Sequence, residues 1–231
     1  MAEEVIVLTD LTKKYGAFTA VDRICLSVAK GEVFGLLGPN GAGKSTTILM
    51  MLGLTEPTSG NVSICGIDAT HNPIEVKRRI GYLPEERGLY PKKPIMDQLV
   101  YIGALHGMRA GEAKKSAMAL LERLEMAEYA NKKLDTLSKG NQQKIQLVAT
   151  LISDPQIVIL DEPFSGLDPV NAMLLKDIVR EQIAAGKIVL FSSHQMNYIE
   201  EFCDDIVILN RGRIVLSGNI REIKHSYDRS R

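Results

Sequence analysis

Eight residues, GPNGAGKS at positions 38–45, lie between an apolar run, VFGLL at 33–37, and the helix-prone TTILMML at 46–52. Strand, glycine-rich turn and helix in that order restrict the chain to folds in which a helix starts at a sheet edge with its first N–H groups facing an anion. Gly38, Gly41 and Gly43 can take backbone angles closed to other residues. The loop Gly38, Pro39, Asn40, Gly41, Ala42, Gly43 can therefore turn successive N–H groups inward around a β-phosphate. Lys44 then reaches the β- and γ-phosphates, Ser45 offers a hydroxyl for Mg²⁺, and Thr46 a second hydroxyl near the α-phosphate. The ligand expected is a nucleoside triphosphate.

The rest of the chain agrees with a layered α/β core. VFGLL, IGYL at 80–83, IVIL at 157–160, IVLF at 188–191 and IVIL at 206–209 are short and apolar throughout, as strands covered on both faces must be, and they predict a mostly parallel sheet. Helix-compatible stretches, including 170–185 and 195–202, fall between several of them. VIVLTDL at 5–11 and RICLSVA at 23–29 are β-rich runs divided by KKYGAFTA with its turn residue Gly16, and predict a small antiparallel element. From Pro94 to about Ser153 the β-like runs vanish. MDQLVYIGALHG and GEAKKSAMALLERLEMAEYA predict an inserted helical subdomain over 94–153, in a single domain whose core is 1–93 and 154–231. Leu120, Leu121, Leu124 and Met126 are expected as core rather than as a docking stripe.

Charge excludes one class of partner. Lys+Arg and Asp+Glu number 28 each, so no global basic field draws nucleic acid over distance, and none is expected as a partner. The 3 cysteines, Cys25, Cys65 and Cys203, are too widely spaced for a metal pair and are expected as buried thiols. MAEEVIVLTD does not resemble a signal peptide, and no apolar run approaches the roughly 20 residues a membrane-spanning helix needs, so a soluble chain is expected unless a partner holds it. His71, His106 and His225 are expected at the surface, and the polar tail KHSYDRSR as a frayed end.

IVILDE at 157–162 ends a buried strand in two carboxylates, which is costly unless cations and water meet them. Asp161 is placed to help hold Mg²⁺, and Glu162 to polarise a water for in-line attack on the γ-phosphate. His194 follows IVLFSS, so it opens on the same sheet edge. In LSKGNQQK at 137–144, Ser138 is placed as an N-terminal cap, and Gly140 lets an anion approach the helix start.

Taken together, these residues resemble the nucleotide-binding subunit of an ATP-binding cassette (ABC) transporter over nearly the whole chain. GPNGAGKS is similar to the Walker A loop, LSKGNQQK to the signature, IVILDE to the Walker B strand, SGLD at 165–168 to the D-loop, and His194 to the switch histidine. The fold this implies is α/β: a P-loop NTPase (RecA-like) core with a mostly parallel sheet, a small antiparallel β subdomain and an inserted α-helical subdomain. The resemblance further implies ATP hydrolysis with Mg²⁺ and a γ-phosphate contact from His194. Tyr15 in KKYG resembles the aromatic that stacks on adenine. Two such domains, identical or paralogous, pair head to tail in this family, so that Ser138 and Gly140 of one complete the site that Lys44, Glu162 and His194 build on the other, with Asp168 at the seam. A separate membrane permease is the implied partner, which places the chain at the cytoplasmic face of the membrane. Leu89 and Tyr90, in ERGLYPKKPIMDQL, are the candidate contacts with it.

Two positions depart from the family pattern. Glu85, followed by Glu86 and Arg87, stands where a glutamine is usual. It can ligate Mg²⁺ but, as a carboxylate, cannot donate hydrogen bonds. In the signature, Lys139 replaces a glycine and Asn141 a glutamine. IGYLPEERGLYP and FSGLDP most resemble ABC-2 type exporters, the sodium-efflux and drug-resistance branch. A soluble ABC ATPase without a transport role is the alternative, but it typically has tandem cassettes or a very long coiled coil, and neither is present. A GTPase would want a base-reading NKxD, which is absent.

Overall fold

The computed structural model describes residues 4–86 and 88–228. A hairpin opens the chain: β1 (Glu4–Tyr15) and β2 (Phe18–Ala29) pair antiparallel up to Tyr15↔Phe18, so only Gly16 and Ala17 turn. The segment expected to separate two shorter strands is mostly strand, because Gly16 at φ 59° reverses the chain in so little length. After β3 (Val33–Leu37) and α1 (Lys44–Met51) come β4 (Ser59–Ile64) and β5 (Ile67–Asp68), which extend the hairpin to a four-stranded sheet ordered β2-β1-β4-β5. The two-stranded expectation was too small. SGNVSI buries only Val62 and Ile64 fully and carries too short an alternation to stand out before β1 supplies its partner.

The second sheet, to which β3 already belongs, gains its other strands after α2 (Pro73–Arg79). It contains β6 (Ile80–Leu83), then, beyond the helices α3 (Ile95–Leu105), α4 (Ala110–Arg123) and α5 (Lys139–Leu151), β7 (Ile157–Asp161). Next come α6 (Pro169–Ala184), β8 (Ile188–Ser193), α7 (Met196–Phe202), β9 (Asp205–Asn210), β10 (Arg213–Asn219) and α8 (Ile220–Asp228). The order is β10-β9-β3-β8-β7-β6, parallel except for the β9/β10 pair.

The apolar runs are continuous because each strand feeds two cores. On β3, β7 and β8, Val33, Leu37, Val158, Leu160, Val189 and Phe191 face the core that also receives α3 to α6. Their alternates, Phe34, Leu36, Ile157, Ile159, Ile188 and Leu190, face the hairpin sheet and α1. Each such fully buried side chain contributes about 1.5–3 kcal/mol. Leu121, Leu124 and Met126 are buried and Leu120 is partly so, as core residues should be. The segment 111–130 is not one helix: Glu125 at φ 58° ends α4, and the Met126 N–H returns to the Leu121 carbonyl at 2.7 Å.

Several surface expectations need correction. Among the cysteines only Cys203 is buried; Cys65 is partly so, and Cys25 is exposed because it sits on the outward face of β2, with its thiol donating to Asp10 Oδ1 at 3.4 Å. His71 and His225 lie at the surface, but His106 is half-buried at the end of α3, and burial lowers its pKa. The polar tail is helical to Asp228; residues 229–231 lie outside the described residues, as does Arg87.

Between the sheets, burial and then the neighbouring carboxylates of Asp205 and Asp204 raise the Glu32 pKa from 4.5 to about 7, despite the N–H of Ala29 donating to it at 2.5 Å. The folded chain thus holds this proton more tightly than the unfolded one. The associated stability is fully present below about pH 4.5 and lost as pH rises to about 7. In Glu32→Gln that loss should vanish. Urea unfolding at pH 5 and pH 8 should show wild type losing about 1 kcal/mol more than the variant across the interval, after allowance for solvent screening at this half-exposed site. Equal losses would contradict the assignment.

Candidate functional site

Strand register gathers the site. Leu37 pairs with Ser193 across β3/β8, Asp161 with Ser192 across β7/β8, and Leu83 with Leu160 across β6/β7. The residues just past these strand ends, Gly38, Glu162, His194 and Glu85, therefore emerge along one edge, the usual ligand side of a parallel sheet. Gly38 at φ 152° has the Leu209 carbonyl 2.4 Å from where a Cβ would stand, and Gly43 at φ 106° has the Ala20 carbonyl at 2.7 Å. Both positions exclude other residues, because the loop turns tightly against β9 and the hairpin.

A cavity of about 290 Å³ opens above this loop, lined by Asn40, Gly41, Ala42, Gly43, Lys44, Ser45 and Thr46 together with Phe18, Ala20, Glu85 and Glu162. Lys44 is buried, and its Nζ donates to the carbonyls of Gly38 at 2.7 Å and Pro39 at 3.4 Å, so it ties down the start of the loop. Lys44 Nζ also lies 3.4 Å from Glu162 Oε1.

Glu162 is 5% exposed and stands at φ 48°, a strained angle for a non-glycine residue. Its N–H donates to the Ser192 carbonyl at 3.1 Å, Ser193 Oγ donates to its Oε2 at 3.2 Å, and His194 Nδ1 lies 3.0 Å from Oε1. Oε1 nevertheless has no hydrogen bond of good geometry, so Lys44 and His194 lie close to it without saturating it. Beneath, stacked rings hold the turn: Phe164 lies 4.1 Å, centroid to centroid, from Tyr198 and 6.4 Å from Phe191.

Asp161 is buried and accepts from Ser192 Oγ and, at 3.5 Å, from Tyr82 Oη. Burial, then the charges of Asp161 and Glu85, push the Tyr82 phenol well above its usual range, so it stays a neutral donor there. Ser45 and Glu85 line the cavity and Asp161 lies outside its lining; a hydroxyl and two carboxylates would offer only oxygen donors, which suit Mg²⁺ far better than a soft metal. Among the described residues no group of three or more His, Cys, Asp and Glu side chains stands ready to hold a metal ion by itself.

The remaining expected residues lie elsewhere. Ser138 caps α5, its Oγ accepting the Asn141 N–H at 3.3 Å. A Cβ on Gly140 would meet Asn171 Nδ2 at 2.5 Å, and Asn171 in turn donates to Asp168. Asp168 caps α6, accepting from the N–H groups of Val170 and Asn171, and those hydrogen bonds hold its carboxyl below the usual range. Ser138, Gly140 and Asp168 thus form one cluster at two adjacent helix starts, and none lines the phosphate cavity. Tyr15 also lies outside the lining, beneath Lys13 Nζ at 5.1 Å, whereas its cross-strand neighbour Phe18 lines it. No sequence motif marks Phe18; only the hairpin's register brings it over the loop.

Comparison with known proteins covers both regions. The ABC transporter family model matches residues 21–165. The chain is 47% identical over 222 residues to the uncharacterised ABC transporter ATP-binding protein YhaQ of Bacillus subtilis (strain 168), covering 96% of this chain and 74% of that one. It is 39% identical over 209 residues to the linearmycin resistance ATP-binding protein LnrL of the same organism, covering 90% and 67%. Among solved structures, an ATP-binding subunit of an ABC transporter superposes with TM-score 0.89 at 32% identity, over 97% of this chain and 93% of that one. The ABC transporter cassette MJ0796, solved as a dimer and also in a post-hydrolysis state with ADP and Pi, gives a TM-score of 0.86 at 26% identity in the first form, over 94% and 99%. The chain belongs to the ABC transporter family, as one of its ATP-binding, ATP-hydrolysing subunits.

Proposed function

We propose that this subunit hydrolyses ATP at a site shared between two cassettes, either two copies or a copy and a paralogue, and so drives an export permease from the cytoplasmic face of the membrane. The observation that carries the reading is the separation of the cluster Ser138, Gly140 and Asp168 from the phosphate cavity in a single chain. A transferring phosphoryl group needs donors on several sides, and the Ser138-capped start of α5 offers them only to a neighbour. The dimeric form of the similar cassette MJ0796 supports this arrangement. Export is supported by the names of relatives such as LnrL, a resistance protein, and the Nod factor export ATP-binding protein I of Ralstonia nicotianae. The groove beside Leu89, with Tyr90 exposed nearby, is the place for a permease segment. The cassette is one domain, with its helical insertion over 94–153.

In this mechanism the loop N–H groups and Lys44 hold the β- and γ-phosphates, and Tyr15 and Phe18 flank the base. Glu162, its carboxylate unsaturated and its backbone locked, accepts the proton of the attacking water. His194, 3.0 Å from Glu162, orients that carboxylate and contacts the γ-phosphate. Ser45, Asp161 and Glu85 would hold Mg²⁺, which when bound neutralises charge on the phosphate oxygens. Ser138 and Gly140 of the partner close the open side, and loss of the γ-phosphate releases them.

Ser138→Arg tests the shared site, since the arginine fills the seam without touching the chain's own cavity. ATP binding by the monomer should stay within about threefold of wild type, while the dependence of hydrolysis on protein concentration disappears. Retained cooperativity would exclude the signature from the site.

A further inference from the structure

We propose that Gln146 and Gln98, two buried glutamines of the helical subdomain, are positioning residues that clamp the loop carrying Glu85. Glu85 is then placed in the phosphate cavity by the helices as well as by the strand it follows. Both amides are almost wholly out of solvent, at 4% and 6% exposure. A buried amide is costly unless its donors and acceptor are met, so the partners of these two decide what they do. Gln146, on α5, donates from Nε2 to the carbonyl of Glu86 at 3.2 Å. Gln98, on α3, accepts the Tyr90 N–H at 2.7 Å and donates to the carbonyls of Tyr90 and Lys93, each at 3.0 Å. Every one of these partners is backbone of the 84–94 loop. The loop is thus gripped near Glu85 by one helix and at its far end by another, and both grips come from the same subdomain.

The α5 grip has a firm base. Thr150, one turn beyond Gln146, donates to the Tyr82 carbonyl at 3.1 Å, and a Cβ on Gly81 would come within 2.3 Å of the Thr150 carbonyl, so α5 lies hard against β6. The helix that bears Gln146 also begins at Ser138, about 12 Å away along one rigid rod. Seating Ser138 against a neighbour's nucleotide would therefore be felt at Glu86, the residue after Glu85. Gln146 also lines the groove of about 310 Å³ that Leu89 and His106 border, so an occupant there would touch the same amide. One side chain joins the groove, the signature helix and the Glu85 loop.

This inference rests on the assignment of Glu85 to the phosphate site, and the test separates the two. Gln146→Met keeps volume and removes the donor; Thr150→Val removes a hydrogen bond of the same helix that reaches the strand and not the loop. In the full chain, hydrogen exchange should quicken at least tenfold for amides around Glu86 in Gln146→Met, with β6 and β7 unchanged, and should not quicken there in Thr150→Val. kcat should fall about tenfold with KM for ATP within about twofold, and Gln146→Met should add no further loss to Glu85→Ala. Unchanged exchange around Glu86, or the same response from Thr150→Val, would overturn the clamp. Faster exchange combined with full activity in Glu85→Ala would uphold the clamp and remove Glu85 from the site. Additive losses in the double variant would overturn the proposal that Gln146 acts through Glu85.

Discussion

Glu162→Gln should bind ATP within a fewfold of wild type yet turn over about 10²- to 10⁴-fold more slowly, a barrier increase of about 3–5 kcal/mol. The replacement has the shape of the original. It can still accept from Ser193 Oγ, and the backbone turn at φ 48° is braced independently by the Glu162 N–H to Ser192 hydrogen bond and the Phe164 ring stack. What disappears is the capacity to take a proton at Oε1, the atom that faces Lys44 and His194 without a well-aligned donor. Binding should persist because the loop N–H groups and Lys44 remain. Single-turnover hydrolysis alongside equilibrium nucleotide binding checks both halves; near-normal turnover would remove Glu162 from the role of base.

Lys44→Ala should act on binding itself, weakening ATP affinity by about 10²-fold or more, about 3 kcal/mol. The ammonium is buried under the loop, where it ties the carbonyls of Gly38 and Pro39 and faces Glu162 at 3.4 Å. Removing it withdraws the cation that would meet the β- and γ-phosphates and leaves a 5% exposed carboxylate without its nearest lysine. Two losses thus fall on one substitution, whereas Glu162→Gln removes charge and leaves the donors in place. Nucleotide titration of the variant decides it, and affinity within threefold of wild type would contradict the placement of Lys44 against the phosphates.

Much of the core was legible because its signals are local. Continuous apolar runs at β3, β7, β8 and β9, each only four or five residues long, suit strands covered twice, and the two cores they feed explain why those positions are apolar. Ser138 was legible as a cap from residue type and place, and it accepts the Asn141 N–H as capping requires; that Asp168 caps α6 emerged only with the structure. Other features left no local trace. β4 and β5 become strands through β1, and His106 is half-buried beside the groove that Leu89 borders. Cys25 differs: it lies between buried Ile24 and Leu26 in the alternation of β2, so the strand period alone marks its outward side.

The sequence alone determined the phosphate loop, the strands that present it and the order of the motifs. Each rests on a few adjacent residues whose allowed backbone angles or side-chain period admit one solution. Tertiary structure alone decided that Phe18 joins the cavity while Tyr15 stays outside its lining, that Ser138, Gly140 and Asp168 share one cluster away from it, and that two glutamines 48 positions apart grip one loop. These depend on register and on the approach of distant helices. Such contacts arise only when burial brings segments together whose own sequences carry no record of one another.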